Sequence, residues 1–158
     1  MICRKATLKD FEAICRLRSQ LARDPSERFA TEYAPYNAEA DRAWIQKCLR
    51  SKQRVVLIAE DEEGICAHSI VVIETVSARA KVYYTYRKKA VLAHLYVAID
   101  KRHQGIGTDL LKYTLKYLKQ QGVEFVDLDC YLGNEDAQAL YKKVGFKDVF
   151  VRKRFTLK

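Results

Sequence analysis

Apolar positions recur at two different spacings along this chain, and the exchange between them predicts an α/β protein. Leu110, Leu111, Leu115 and Leu118 fall at helical intervals with Asp109, Lys112, Lys116 and Lys119 on the other side, so an amphipathic helix is expected to end near Gly122. Residues 7 to about 21 read as an earlier helix, broken by Arg23-Asp24-Pro25-Ser26. A second follows from Asn37 to about Leu49, with Trp44, Ile45, Cys48 and Leu49 inward. In the last, Ala137, Leu140 and Val144 form the apolar stripe between Asn134 as N-cap and Gly145 as left-handed C-cap.

Between the helices the period shortens. Residues 54–60 and 65–74 read as strands joined by a turn at Asp61-Glu62-Glu63-Gly64, and 91–93 with 95–97 as a mostly buried strand. Residues 125–131 are strand-like. The stretch 75–90 fits either a long hairpin, given Val82-Tyr83-Tyr84-Thr85-Tyr86, or a partly mobile loop.

A chain of 158 residues, 49% of them hydrophobic, is the size of one domain with a core of its own, without repeats or low-complexity linkers. Five cysteines (Cys3, Cys15, Cys48, Cys66, Cys130) are an odd number without a Cys-x-x-Cys pair, which fits neither a zinc cluster nor a disulfide framework. A reducing cytoplasm and no metal are expected. No apolar run reaches the roughly 18 residues of a membrane span, and Arg4, Lys5, Lys9 and Asp10 occupy the place of a signal's apolar stretch. The net charge of +9 would suit a nucleic-acid binder, and Arg79, Lys81, Arg87, Lys88 and Lys89 among Tyr83, Tyr84 and Tyr86 are the best patch for it. No recognised nucleic-acid motif accompanies them, so a solvated basic hairpin is the favoured reading.

The candidate chemistry starts where the strand ending at Val97 meets the helix. Arg102-His103-Gln104-Gly105-Ile106-Gly107 leaves the first helical N–H groups bare at the positive end of a helix dipole, a cradle for a pyrophosphate. The dinucleotide fingerprint would need a third glycine where Leu110 stands, and the nucleoside-triphosphate loop a Gly-Lys-Ser/Thr that the chain lacks. Tyr141 follows Asn134 by seven residues, two helical turns, so both can look out from one face.

A strand with Leu95-Tyr96-Val97, then Arg102-x-x-Gly105-x-Gly107, a helix, a second strand, and an Asn134-x-x-Ala137-x-x-x-Tyr141 helix closing on Val144-Gly145-Phe146 resembles the GNAT superfamily of acetyl-CoA-dependent N-acetyltransferases. The opening residues 2–10 look like that family's first strand and helix start, with Thr7 and Asp10 as a capping-box-like pair. The likeness is closest over residues 102–107 and 134–146 and weak between 25 and 90.

What the resemblance implies is an α/β (α+β) GNAT fold over residues 1–158, a mixed sheet of about six or seven strands flanked by about four helices and splayed around the cofactor. It implies acetyl-CoA as co-substrate without metal, its diphosphate on the amides from Arg102 through His103, Gln104, Gly105, Ile106 and Gly107 to Thr108, its pantetheine along Leu95, Tyr96 and Val97, with Asn134, Ala137 and Tyr141 beside it. A backbone N–H near Tyr96 or Val97 would stabilise the oxyanion. Tyr141 takes the family's place as general acid: a phenol of reference pKa about 10 can protonate a departing thiolate whose own value is about 8.5.

The acceptor is expected to be a primary amine, neutral in only about one molecule in 10³ at pH 7 for a lysine-like amine, so a base or water relay is needed. His94 and Glu74 are the two candidates. Asp127 and Asp129 share a strand face by alternation, where a solvated face is favoured over a cation site. Glu32 and Tyr33 lie in the link where such enzymes often build the acceptor pocket. Family members often pair as homodimers. A non-catalytic acyl-CoA-binding regulatory module of the same fold is the alternative, with nucleic-acid contact through the basic segment.

Overall fold

The alternation over residues 54–75 becomes a hairpin: β2 (Arg54–Asp61) and β3 (Gly64–Thr75) pair antiparallel, and Gly64 turns the chain at φ +121°, where a side chain would be strained. In the computed structural model, which describes residues 1–24, 35–155 and 157, this hairpin is central. β1 (Ile2–Lys5) pairs antiparallel with β2, β4 (Lys88–Val97) antiparallel with β3, and β5 (Phe125–Asp127) parallel with β4. The five strands therefore lie in chain order across one mixed sheet.

Helices cover both faces, which is why Val55 to Ala59 and Cys66 to Val71 are buried without alternation. On one side α1 (Phe11–Arg23) and α2 (Ala38–Arg50) bring Ile14, Cys15, Ile45 and Cys48 against Val56, Ile58 and Ile70. On the other, α3 (Ile106–Gln120) lays Leu110, Leu111 and Leu118 on Leu57, Ala67, Val71 and Leu92. α4 (Glu135–Val144) adds Leu140 and Val144 to that second cluster.

The local signals hold. Thr7 and Asp10 form a reciprocal capping box, Asn37 and Asn134 accept the N–H of Ala40 and Ala137, and Gly145 closes α4 at φ +107°.

Two expectations need correction. The sheet has five strands among the described residues rather than six or seven, and the strand expected over 125–131 stops at Asp127. The cause is shared: a strand exists by its ladder, and β4 and β5 pair only from Lys89↔Phe125 to Val91↔Asp127. Residues 146–155 form no strand. The stretch 75–90 is strand at both ends, Thr75↔Lys88 in register, with a loop between that contains one short 3-10 turn, Ala80–Val82.

Candidate active site

β4 is paired on both edges only as far as Val91. Beyond it, the edge toward β5 has no strand beside it up to Val97. The ladder to β3 passes from Val71↔Leu92 to Ile70↔His94, so Ala93 is an extra, bulged residue just past the point where β4 and β5 part. Ala98 donates its N–H to the Cys66 carbonyl at 2.9 Å. Antiparallel alternation then turns the N–H of Tyr96 toward β3 and those of Leu95 and Val97 toward the open edge. The N–H groups that the open edge offers are therefore those of Leu95 and Val97, whereas that of Tyr96, expected beside the cofactor, is turned into the ladder with β3.

The open edge runs into the glycine turn. His103 sits at φ +59° and Gly105 at φ +84°, a sequence of left-handed residues that swings the chain into α3. Asp109 makes the first intrahelical bond, N–H to the Gly105 carbonyl at 3.1 Å, so the N–H groups of Ile106, Gly107 and Thr108 precede any intrahelical acceptor. His103, Gln104 and Gly105 are exposed, which keeps the turn open to solvent. A Cβ at Gly107 would lie 3.4 Å from Val97 Cγ2 and 3.5 Å from Leu140 Cδ2, in van der Waals contact with both, so β4, α3 and α4 meet at this point with room for no more than a methyl group. Three convergent donors, a glycine at the tight junction and an unpaired strand edge fit a diphosphate joined to an extended arm.

Arg102 serves this turn from behind. Its Nη2 lies 2.6 Å from Asp24 Oδ2, its Nε donates to the Val97 carbonyl at 3.2 Å, and the guanidinium rests 5.3 Å above the Tyr96 ring. Asp24 is 3% exposed at the end of α1, so the motif arginine ties α1 to the cradle.

From α4, Tyr141 joins the apolar cluster that holds Leu95 and Val97, its ring 5.7 Å from Phe146. Asn134 spends its side chain on the Ala137 N–H at 3.1 Å. The structure thus brings Leu95, Val97, the glycine turn and Tyr141 into one region.

His94 points to the α1/α2 face, edge-on to Trp44 at 5.2 Å. Burial, with the positive charge of Arg18 adding to it, pushes the His94 imidazole down to about 4, so it is neutral at pH 7. Arg18 itself is buried and clamps Asp41, Nη2 to Oδ1 at 2.7 Å and Nε to Oδ2 at 2.9 Å, while its guanidinium lies 4.9 Å over Trp44. Its Nη1 lies 3.5 Å from Nε2 of His68, a fully buried ring held well below the usual histidine range by desolvation. A guanidinium only donates, so His68 carries its proton on Nδ1, which has no hydrogen-bond partner among the described residues.

Sequence reasoning set Trp44 inward but missed that Arg18, Asp41 and His68 gather beside it. Alternation on β3 could have set His68 on the face of Ile70; nothing local signals that Arg18 and Asp41 meet.

Glu74 is not brought to the site. Its carboxylate lies 3.5 Å from Lys89 Nζ, and Lys89 is six residues before Leu95 on β4, roughly 20 Å of strand. Asp127 and Asp129 are exposed, the latter paired with Arg152 at 3.1 Å, and with β5 ending at Asp127 they no longer share a strand face. Glu32 and Tyr33 lie outside the described residues. Among those residues no three His, Cys, Asp or Glu side chains gather as a metal site, and no helix is long and apolar enough to cross a membrane.

Known proteins share this layout. The chain is 31% identical over 108 residues to the N-alpha-acetyltransferase of Sulfurisphaera tokodaii, covering 68% of this chain and 65% of that protein. It is 33% identical over 119 residues to human N-acetyltransferase 8, covering 74% of this chain and 49% of that one. The chain thus spans from about half to just under two thirds of the length of these relatives. A predicted acetyltransferase from Clostridium acetobutylicum, solved with acetyl-CoA, has the same fold at a TM-score of 0.74 and 20% identity, covering 99% of this chain and 96% of that one. The profile of the acetyltransferase (GNAT) family matches residues 16–146, the stretch that holds β4, the glycine turn and Tyr141. The chain belongs to that family.

Proposed function

We propose that the protein transfers the acetyl group of acetyl-CoA directly to a primary amine. The observation that carries this reading is the junction of an unpaired β4 edge with a glycine turn whose Ile106, Gly107 and Thr108 N–H groups converge, closed on its far side by the helix of Tyr141. Those amides would hold the diphosphate, and the Leu95 to Val97 edge would hold the pantetheine by strand-like hydrogen bonds. When bound, acetyl-CoA supplies an acyl group activated as a thioester.

The chain's own residues do the rest. Leu95 and Val97 present N–H donors to negative charge that develops on an acyl oxygen, and fixed backbone donors need no reorganisation as it appears. Tyr141 carries a phenolic proton on the side where a thiolate departs. His94, neutral at pH 7, can accept a proton from the incoming ammonium or from a water beside it, although a value of about 4 limits it to passing that proton on. The names of the archaeal relative, an N-alpha-acetyltransferase, and of the Escherichia coli ribosomal protein bS18-alanine N-acetyltransferase make peptide α-amines the first acceptors to try.

The test is release of free thiol from acetyl-CoA with peptides bearing free N-termini, lysine side-chain amines, polyamines and aminoglycosides. Acceptor-dependent thiol release supports the reading. Coenzyme A binding with no turnover on any amine would instead indicate a non-catalytic acyl-CoA-binding module.

A further inference from the structure

The basic, tyrosine-rich connection between β3 and β4 takes no part in the acetyl-transfer site. Lys88 begins β4 and Val97 ends it, so this connection stands roughly 30 Å of strand away from the glycine turn. It is nevertheless a defined structure: Val76 N–H donates to the Arg87 carbonyl at 2.9 Å, Ser77 Oγ accepts the Ala80 N–H at 3.2 Å, and Glu124 takes the Arg87 N–H at 2.7 Å.

Three rings form a ladder on it, Tyr84 to Tyr86 at 5.2 Å and Tyr86 to Phe125 at 5.2 Å. Tyr83 is 82% exposed, Tyr84 51% and Phe125 53%, a costly display of aromatic surface for a site with nothing to bind. Tyr84 and Tyr86 also line two open clefts, one of about 470 Å³ running from Lys81 to Arg87 and one of about 330 Å³ that includes Ser77 and Lys89. The charges are arranged to match. Lys89 is engaged by Glu74 and Lys88 by the Gln121 carbonyl, whereas Arg79, Lys81 and Arg87 form no ion pair among the described residues.

We propose that this loop binds single-stranded nucleic acid, Arg79, Lys81 and Arg87 meeting phosphates while Tyr83, Tyr84 and Tyr86 stack on bases. An acidic peptide would account for the cations but not for the rings. An anionic lipid surface would call for aliphatic side chains at the tip, where Val82 stands alone among tyrosines. Sequence alone favours a solvated hairpin, because periodicity does not show that the rings meet, tilted and edge-on, beside cations that form no ion pair among the described residues.

Fluorescence anisotropy with a labelled single-stranded RNA of roughly a dozen nucleotides, long enough for one such surface, tests this on the whole chain with coenzyme A at saturation, so that the glycine turn is filled. Tyr83→Ala/Tyr84→Ala is expected to weaken binding about tenfold or more. Lys81→Glu/Arg87→Glu should weaken it further and flatten the dependence of log affinity on log salt by about 0.7 for each phosphate no longer neutralised. Both variants should keep the parent's melting temperature and coenzyme A affinity. No RNA binding at low salt would overturn the proposal, as would equal binding to polyglutamate or to phosphatidylcholine vesicles containing phosphatidylglycerol. Affinity unmoved by removal of the tyrosines would overturn it too. None of these results bears on acetyl transfer.

Discussion

Tyr141 and Arg102 occupy motif positions of equal prominence, yet their side chains do different things. Arg102 is spent on Asp24, the Val97 carbonyl and the Tyr96 ring, so its work is to fix the turn. Tyr141 packs in the apolar cluster that also holds Leu95 and Val97, and on the proposed function Tyr141→Phe is expected to lower kcat by about 10²–10⁴ while leaving coenzyme A affinity unchanged. Steady-state thiol release and calorimetry on the same preparation check both halves; undiminished kcat would remove Tyr141 from the chemistry.

His68 and His94 carry a second prediction at this scale. Both are held neutral below the ordinary value of about 6.5, so on acidification the unfolded chain takes up protons that the folded chain refuses. Their contribution is complete above pH 6.5 and is lost as pH falls toward 4, on the order of 2–3 kcal/mol for His94 alone. Asp10, held well below the usual carboxylate range by Arg4, adds its own loss only under about pH 4. Urea midpoints at pH 7, 5.5 and 4.5 should therefore fall steadily, and His94→Asn should flatten the fall. A midpoint constant over that range would contradict the burial of both rings.

At the scale of elements, α3 is fastened to the sheet by one buried polar contact as well as by leucines. Thr114 Oγ1 donates to the Leu110 carbonyl at 2.8 Å, so Ser69 Oγ, 2.8 Å from Thr114, must be the donor of their shared bond. Thr114→Val would leave the Ser69 hydroxyl buried without its acceptor and cost about 1–3 kcal/mol, whereas Ser69→Ala removes a donor that nothing else needs and costs about 1. The double variant should cost less than the sum of the two, read from urea unfolding; strict additivity would mean the contact is not made.

The elements also show what a single sequence can reveal. The caps at Thr7, Asn37, Asn134 and Gly145 were readable because a cap is chemistry between residues three or four apart. The glycine turn was readable for the same reason. The early end of β5, the bulge at Ala93 and the direction of the Leu95 and Val97 amides depend on which strand lies alongside, which periodicity does not encode. The Arg18–Asp41 pair joins α1 to α2 across a segment with no periodic signal, so it escaped entirely. Glu74 was a fair candidate by residue type and was displaced by register alone, since pairing with Lys89 fixes it at the far end of the sheet.

On the scale of the whole molecule, one sheet separates two layers with different tasks. The α3/α4 side carries the glycine turn and Tyr141; the α1/α2 side holds a buried cluster around Arg18, where desolvation first and the arginine's charge second keep both histidines neutral. β4 is the partition, and it parts from β5 beyond Val91. The net charge of +9 favours encounter with a polyanionic coenzyme at a rate that falls as salt rises. All of this rests on the cradle holding a diphosphate. Isothermal titration of coenzyme A into the folded protein tests that most directly, with dephosphorylated pantetheine and Gly107→Val as controls. Saturable one-to-one binding is predicted, abolished or weakened at least tenfold both for pantetheine and in the variant, whose side chain would press on Val97 and Leu140. No heat from correctly folded protein, or equal affinity for coenzyme A and pantetheine, would contradict it.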